Sequence, residues 1–183
     1  MDLFASYGYR GTSLSRIARA AGVTKGALYW HFSDKEEFFL AVVEKVLVEW
    51  DEKYPRPIED KKEFTKAFLW TFENMAVLNE KNPWVSRLLL IITLESHKIS
   101  PRVLRAMRKA NLGFLRKFRV LVARGKELGV FESTLDEEWA GTQMFASYLG
   151  LANLWYLHGP RFALRRSLAR QAREFVRQWS AKK

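Results

Sequence analysis

Apolar residues recur along this chain at helical spacing, and no stretch sustains the alternation of a strand. The first eight residues read as the end of a helix stopped at Gly8. Leu14, Ile17, Ala18 and Ala21 share one face of a short segment that Thr12 or Ser13 is placed to cap. Gly22 ends that segment and Thr24 caps a further short one. Ser33 with Glu36 forms a Ser-x-x-Glu capping box, which opens a helix to about Lys53. Its apolar positions are Phe38, Phe39, Val42, Val43, Val46, Leu47 and Trp50. Pro55 and Pro57 then interrupt the chain. Helices are predicted over residues 60–80, from Asn82–Pro83 to about His97, and from Ser100–Pro101 to about Glu127. Thr134 with Glu137 supplies a second box, opening a helix to about Leu157, and Gly159–Pro160 precede a last helix over 161–180. The pattern is all-α, with an N-terminal three-helix domain over 1–53 and a larger helical domain over 54–183.

The segment "ARAAGVTKGALYWHF" has the form of a helix-turn-helix, two short helices joined by a tight turn. Ala18 and Ala21 let the helices approach, Gly22 takes a positive φ, and Val23 plugs the space between them. Leu28 and Phe32 face inward with Ile17. The opposite side presents Lys25, Gly26, Tyr29 and Trp30, and the N-terminus at Thr24 offers N–H groups to a phosphate. Tyr29 and His31 are placed to donate to phosphate, and Lys35 begins the next helix within reach of a nucleic-acid backbone. The competing reading is an ordinary helical corner in which "LYWHF" is core.

Composition narrows the choice. The net charge of +11 favours anionic partners. Residues 1–32 carry four bases against Asp2, and residues 33–53 carry three bases against seven acids. The remainder therefore holds +12, most of it outside the helix-turn-helix. With no cysteine in the chain, disulfides, thiolate catalysis and Cys-based zinc sites are excluded. His31, His97 and His158 form no metal-ligand spacing, and no phosphate loop or nucleophile elbow is present, so neither an enzyme nor a cofactor is expected, and no metal. The N-terminus shows no basic region followed by an apolar run, which predicts a cytoplasmic protein without a signal peptide. Residues 139–160 hold no Asp, Glu, Lys or Arg, but Thr142, Gln143, Ser147, Asn153 and His158 argue for burial in protein rather than in lipid.

The stretch "FASYGYRGTSLSRIARAAGVTKGALYWHFSDKEEFFLAVVE" resembles the N-terminal domain of the TetR family of transcriptional regulators. "GYRGTS", "IARAAGV", "KGALYWHF" and "DKEEFF" occur in the family's order and spacing. The resemblance covers about the first 45 residues; beyond residue 55 only the helical pattern and the length agree. It implies that residues 24–31 are a recognition helix for the major groove. Thr24, Lys25, Gly26, Tyr29, Trp30 and His31 would then touch DNA, Thr12, Ser13 and Lys35 would contact phosphate, and Arg16 would add a contact. It also implies a homodimer that represses transcription from a near-palindromic operator and is released when a small molecule enters the C-terminal domain. The family's first helix usually begins about two turns earlier, so this start is late or the first helix is shortened.

For the second domain the resemblance implies a dimer interface from the last two helices. Trp139, Gln143, Ala146, Ser147, Gly150 and Leu154 share a face, joined by Leu168, Phe175 and Trp179 from the final helix. A ligand pocket between the preceding helices would be lined by Phe68, Phe72, Met75, Trp84, Leu88, Ile91, Phe114, Phe118, Met144, Tyr148 and Trp155. Glu95, Asn111 and His97 are its polar candidates. The charge of this domain favours an apolar effector with an anionic group, such as a fatty acid or acyl-CoA, over a cationic drug. Arg161, Arg165, Arg166, Arg170, Arg173 and Arg177 read as a solvated face; the rival is that some pair across the dimer or bind an anionic ligand. The alternative functions are a sequence-independent nucleoid protein, or a TetR-like sensor of cationic drugs.

Overall fold

The computed structural model describes residues 2–52, 60–81, 83 and 100–181. Eight α-helices are described: α1 (Asp2–Tyr7), α2 (Leu14–Ala21), α3 (Lys25–His31), α4 (Lys35–Glu52), α5 (Lys61–Lys81), α6 (Pro101–Glu127), α7 (Glu137–His158) and α8 (Leu164–Trp179). A single 3-10 turn, Gly159–Arg161, joins α7 to α8. Apart from Pro83, the helix expected from Asn82–Pro83 to His97 lies outside the described residues.

The described residues form two compact units. Those up to Glu52 and those of 100–110 make the first; those of 60–83 and 111–181 make the second. The first ten residues of α6 thus belong to the first unit and the rest of that helix to the second.

The first unit is built on Phe4, Leu14, Ile17, Ala18, Leu28, Phe39, Val42 and Val43, with Val103 and Met107 from the start of α6. Phe39 stands edge-on to Phe4 and to Tyr9, with ring centres 5.0 and 5.2 Å away. Burying a side chain of this size contributes about 1.5–3 kcal/mol. Two of the caps, those of α4 and α7, differ from the sequence expectation by a residue or two. At α4 the cap is Asp34, whose carboxylate accepts the Glu37 N–H at 2.8 Å, and Glu37, not Glu36, takes the N–H and hydroxyl of Ser33. At α7 the cap is Asp136, accepting from Glu138 and Trp139, not Thr134 with Glu137. In each case an Asp next to the helix start displaces the hydroxyl residue, since its carboxylate is the stronger acceptor.

Aromatic rings run through the second unit. Phe131 packs on Phe64 and Phe68, Phe68 on Phe72, Phe72 on Phe175, and Phe175 stacks on Trp179 at 4.5 Å. Gly125 lets α6 approach this stack, because a Cβ there would overlap the Phe131 ring. The chain after Trp179 is tied back to the turn after α6. Glu132 N–H donates to Trp179 O, Ala181 N–H to Val130 O, and Phe131 bridges Ser180. One polar pair is buried among the apolar groups: Asn79 Nδ2 donates to the Tyr148 hydroxyl at 2.8 Å, and burial pushes the Tyr148 pKa up.

Gly125→Ala is expected to destabilise the protein by about 1–3 kcal/mol through overpacking. Adding Phe131→Leu should recover part of that loss in urea unfolding; simple additivity of the two losses would show that the ring is not what limits the position.

Candidate nucleic-acid interface

The turn between α2 and α3 follows from three local features. Ser13 caps α2, its hydroxyl accepting the Arg16 N–H at 3.2 Å. Gly22 sits at φ +68, where a side chain would be strained, and turns the chain out of α2. Thr24 caps α3, its hydroxyl accepting the Ala27 N–H at 3.1 Å. The turn is looser than expected at two positions. Ala21 and Val23 are exposed, Val23 by 45%, so neither fills the space between the helices; Ile17 and Ala18 are buried there with Leu14 and Leu28.

α3 is held by one buried side chain, Leu28, with Phe32 half-buried just beyond its end. The rest of α3 is open. Lys25, Gly26 and His31 are exposed, Tyr29 is exposed by 46% and Trp30 by 82%. The Lys25 ammonium lies 5.4 Å from the Tyr29 ring centre, and the His31 ring stands edge-on to Trp30 at 4.7 Å. A Cβ at Gly26 would meet nothing closer than the Thr24 hydroxyl at 4.0 Å, so nothing in the fold itself requires a glycine at this position.

On α2, exposed Arg16 stacks on the Tyr7 ring at 3.9 Å, and its guanidinium donates to Gly11 O at 3.2 Å. Tyr7, itself half-exposed, is not among the residues that the sequence pattern picks out; a tyrosine nine residues before an arginine across a glycine turn carries no periodic signal. Lys35 is partly withdrawn from solvent. Its ammonium donates to Tyr9 O at 2.9 Å and lies 4.2 Å from the Tyr9 ring centre, and burial lowers its pKa.

Thr12 is a correction. Expected as a phosphate contact, its side chain is 1% exposed. The hydroxyl lies 2.8 Å from Gly8 O and 3.1 Å from Leu3 O, closing the end of α1. The sequence signal is ambiguous because a threonine before a helix serves equally as an outward cap or an inward plug.

From Leu3 to Ser33 there is no Asp or Glu. The open side of α2 and α3 presents Arg16, Arg19 and Lys25 with hydrogen-bonding aromatic groups, and neither helix carries a carboxylate. Such a face suits a phosphate backbone and the base edges beside it.

The second unit holds the other candidates. Phe68, Phe72, Met75, Phe118, Met144 and Tyr148 are buried; Asn111, Phe114 and Trp155 are half-buried. Trp84, Leu88, Ile91, Glu95 and His97 lie outside the described residues. On α7, Trp139, Ala146, Gly150 and Leu154 are exposed and Gln143 and Ser147 half-buried. Thr142, Leu149 and Leu157 are exposed on the same helix face, an addition to the residues expected there. The dimer candidates on α8 are corrected. Leu168, Phe175 and Trp179 are at most 5% exposed within the single chain, Phe175 and Trp179 because they join its own aromatic stack. No described helix is long and apolar enough to cross a membrane.

Residues 1–42 match the family model of bacterial regulatory proteins, tetR family. The HTH-type transcriptional regulator AcrR of Shigella flexneri is 52% identical over 44 residues, 24% of this chain and 20% of AcrR. The HTH-type transcriptional regulator TtgR of Pseudomonas putida is 29% identical over 165 residues, 84% of this chain and 75% of TtgR. The fatty acid degradation regulator FadR of Bacillus halodurans shares the fold at a TM-score of 0.79 and 18% identity, over 96% of this chain and 89% of FadR.

Thr12→Val should cost about 1–3 kcal/mol by leaving a part-buried carbonyl group without its donor, while Thr12→Ser retains most of the stability. Equal unfolding midpoints for the two variants would contradict the assignment. The Ser33 hydrogen bonds hold the Glu37 carboxyl below its usual range. A group depressed in the folded state stabilises at neutral pH and loses that contribution as pH falls through its folded value. Glu37→Gln should therefore flatten the acid limb of thermal stability, below pH ~4, and an unchanged limb would remove the carboxylate from the cap.

Proposed function

From the premise that this chain belongs to the TetR family of transcriptional regulators, we propose that it is a homodimeric repressor of a near-palindromic operator. The observation that carries this reading is α3, which keeps one side chain inside and turns Lys25, Gly26, Tyr29, Trp30 and His31 outward. Ser13, Arg16 and Lys35 flank it as phosphate contacts, Lys35 through the ammonium donors that Tyr9 leaves unused. Residues 1–53 bind DNA, and residues 54–183 bind ligand and form the dimer. Two copies of α3 then meet major grooves about one helical turn apart. The protein works in the cytoplasm.

The exposed apolar face of α7 is the surface on which two copies pair. Large apolar patches of this kind mark association sites, and this one carries no charge from Trp139 to His158. The effector is a small apolar molecule, in our reading with an anionic group. Among the described residues no carboxylate is buried, which disfavours a cationic drug needing a buried counter-charge. The fold shared with a fatty acid degradation regulator supports the same class. Ligand binding would release DNA by favouring a spacing of the two α3 helices that the operator does not fit.

The rival is a sequence-independent nucleoid protein. It predicts binding that falls steeply with salt and prefers no site. Selection from a random duplex pool at near-physiological salt separates the two: a recovered palindrome supports the repressor, and recovery of no motif supports the rival. Lys25→Ala and Tyr29→Ala are each expected to weaken operator binding by roughly 10- to 100-fold, with the dimer intact in sedimentation. Loss of the dimer, or unchanged affinity in both variants, would overturn the assignment of these side chains.

A further inference from the structure

A groove of about 630 Å³ opens where the last turn of α5 meets the end of α7 and the start of α8. Among the described residues its apolar part is Trp155, Phe162 and Leu164, and its charged part is Glu80, Arg165 and Arg166. Trp155 and Phe162 are half-buried, so their rings are accessible from the groove. The volume suits a small organic molecule.

The electrostatics of the groove are one-sided. α8 begins Leu164-Arg165-Arg166, with no acid in its first turn and no side chain capping it. Two guanidinium groups thus sit at the positive end of a helix dipole, where a carboxylate is the favourable occupant. One carboxylate lines the groove, and it is already engaged: Glu80 accepts from Arg165 at 2.7 Å, tying α5 to α8 across 85 residues of chain. Arg166 is exposed and makes no ion pair among the described residues. From Arg161 to Arg173 the sequence holds five arginines and no acid.

We propose that this groove binds a monocarboxylate with an apolar or aromatic body. The body lies against Trp155 and Phe162. The carboxylate engages Arg166 and competes with Glu80 for Arg165, so that occupancy loosens the tie between α5 and α8. A cation would meet two guanidinium groups and a carboxylate already paired, and a neutral molecule would gain only the apolar part. The inference rests on the reading of a ligand-responsive regulator; it adds a location, a ligand class and an ion-pair exchange.

The test is calorimetric titration of the full-length protein with decanoate, with decanol, and with decyltrimethylammonium, all below micelle formation and at constant ionic strength. Decanoate is expected to bind at least ten-fold more tightly than decanol, and the cation not to bind. Arg166→Gln should weaken decanoate by ten-fold or more, Phe162→Ala should weaken decanoate and decanol alike, and Glu80→Gln should tighten decanoate by removing the internal competitor. Circular dichroism of each variant checks the fold; should Phe162→Ala not fold, Phe162→Leu replaces it. Decanol binding as tightly as decanoate overturns the proposal, as does failure of both decanoate and an aromatic monocarboxylate, naphthoate, to bind. Decanoate binding that ignores Arg166→Gln and Glu80→Gln also overturns it. Operator affinity is measured separately by fluorescence anisotropy. Arg166-dependent binding without any change in operator affinity upholds the groove and overturns its role as an effector site. Operator release insensitive to Arg166 overturns the groove and leaves the regulator reading standing.

Discussion

A seven-residue helix does not hold itself together in water, and α3 has seven residues. What maintains it is the burial of Leu28 against Ile17 and Ala18, between the Thr24 cap and the chain that continues into α4. That economy sets the character of the surface. Because one side chain suffices as an anchor, the remaining side chains of α3 are free to face a partner. The same constraint explains the aromatic packing beneath. Phe4, Phe39 and Tyr9 form a stiff base, and Val103 and Met107 of α6 close it from a distant part of the sequence.

The helical pattern, the order of the elements and the helix-turn-helix are legible in the spacing of apolar residues, glycines and caps alone. Periodicity is a strong signal where one face is polar, as along α2 and α8. It fails where both faces are apolar. α7 carries no charge from Trp139 onward, so its sequence does not say that Met144 and Tyr148 go inward while Leu149 and Leu157 stay out. On α8 the apolar stripe is legible as a stripe, but not what it packs against. Leu168, Phe175 and Trp179 are buried in the protein's own core, where Phe72 receives Phe175 and Phe131 receives Trp179. Chain-distant neighbours of that kind leave no trace in local spacing.

The departures at the helix starts have a common origin. Ser33 and Thr134 match the form of a capping box, yet Asp34 and Asp136 stand one and two residues nearer the first turn and accept the N–H groups instead. Thr12 is the reverse case: a residue that looks like a cap is spent as a plug, because the Gly8 turn brings the carbonyls of α1 over it. The contact candidates on α3 itself are all outward-facing, because exposure there follows directly from having a single anchor. The arginines of α8 divide in the same way. Arg177 pairs with Glu174 within its own helix, as a solvated face would, whereas Arg165 reaches across to α5.

The backbone tie between Phe131 and Ser180 has a topological consequence. It pins both ends of the segment holding α7 and α8 at one place, making a closed loop of chain. The entropy of closing a loop grows only slowly with its length, so tying ends this far apart costs little more than tying near ones. Such a loop tends to open as one cooperative piece rather than fraying from its end. The end of α8 is thereby held against fraying, and an event that frees it must first break the tie at Phe131.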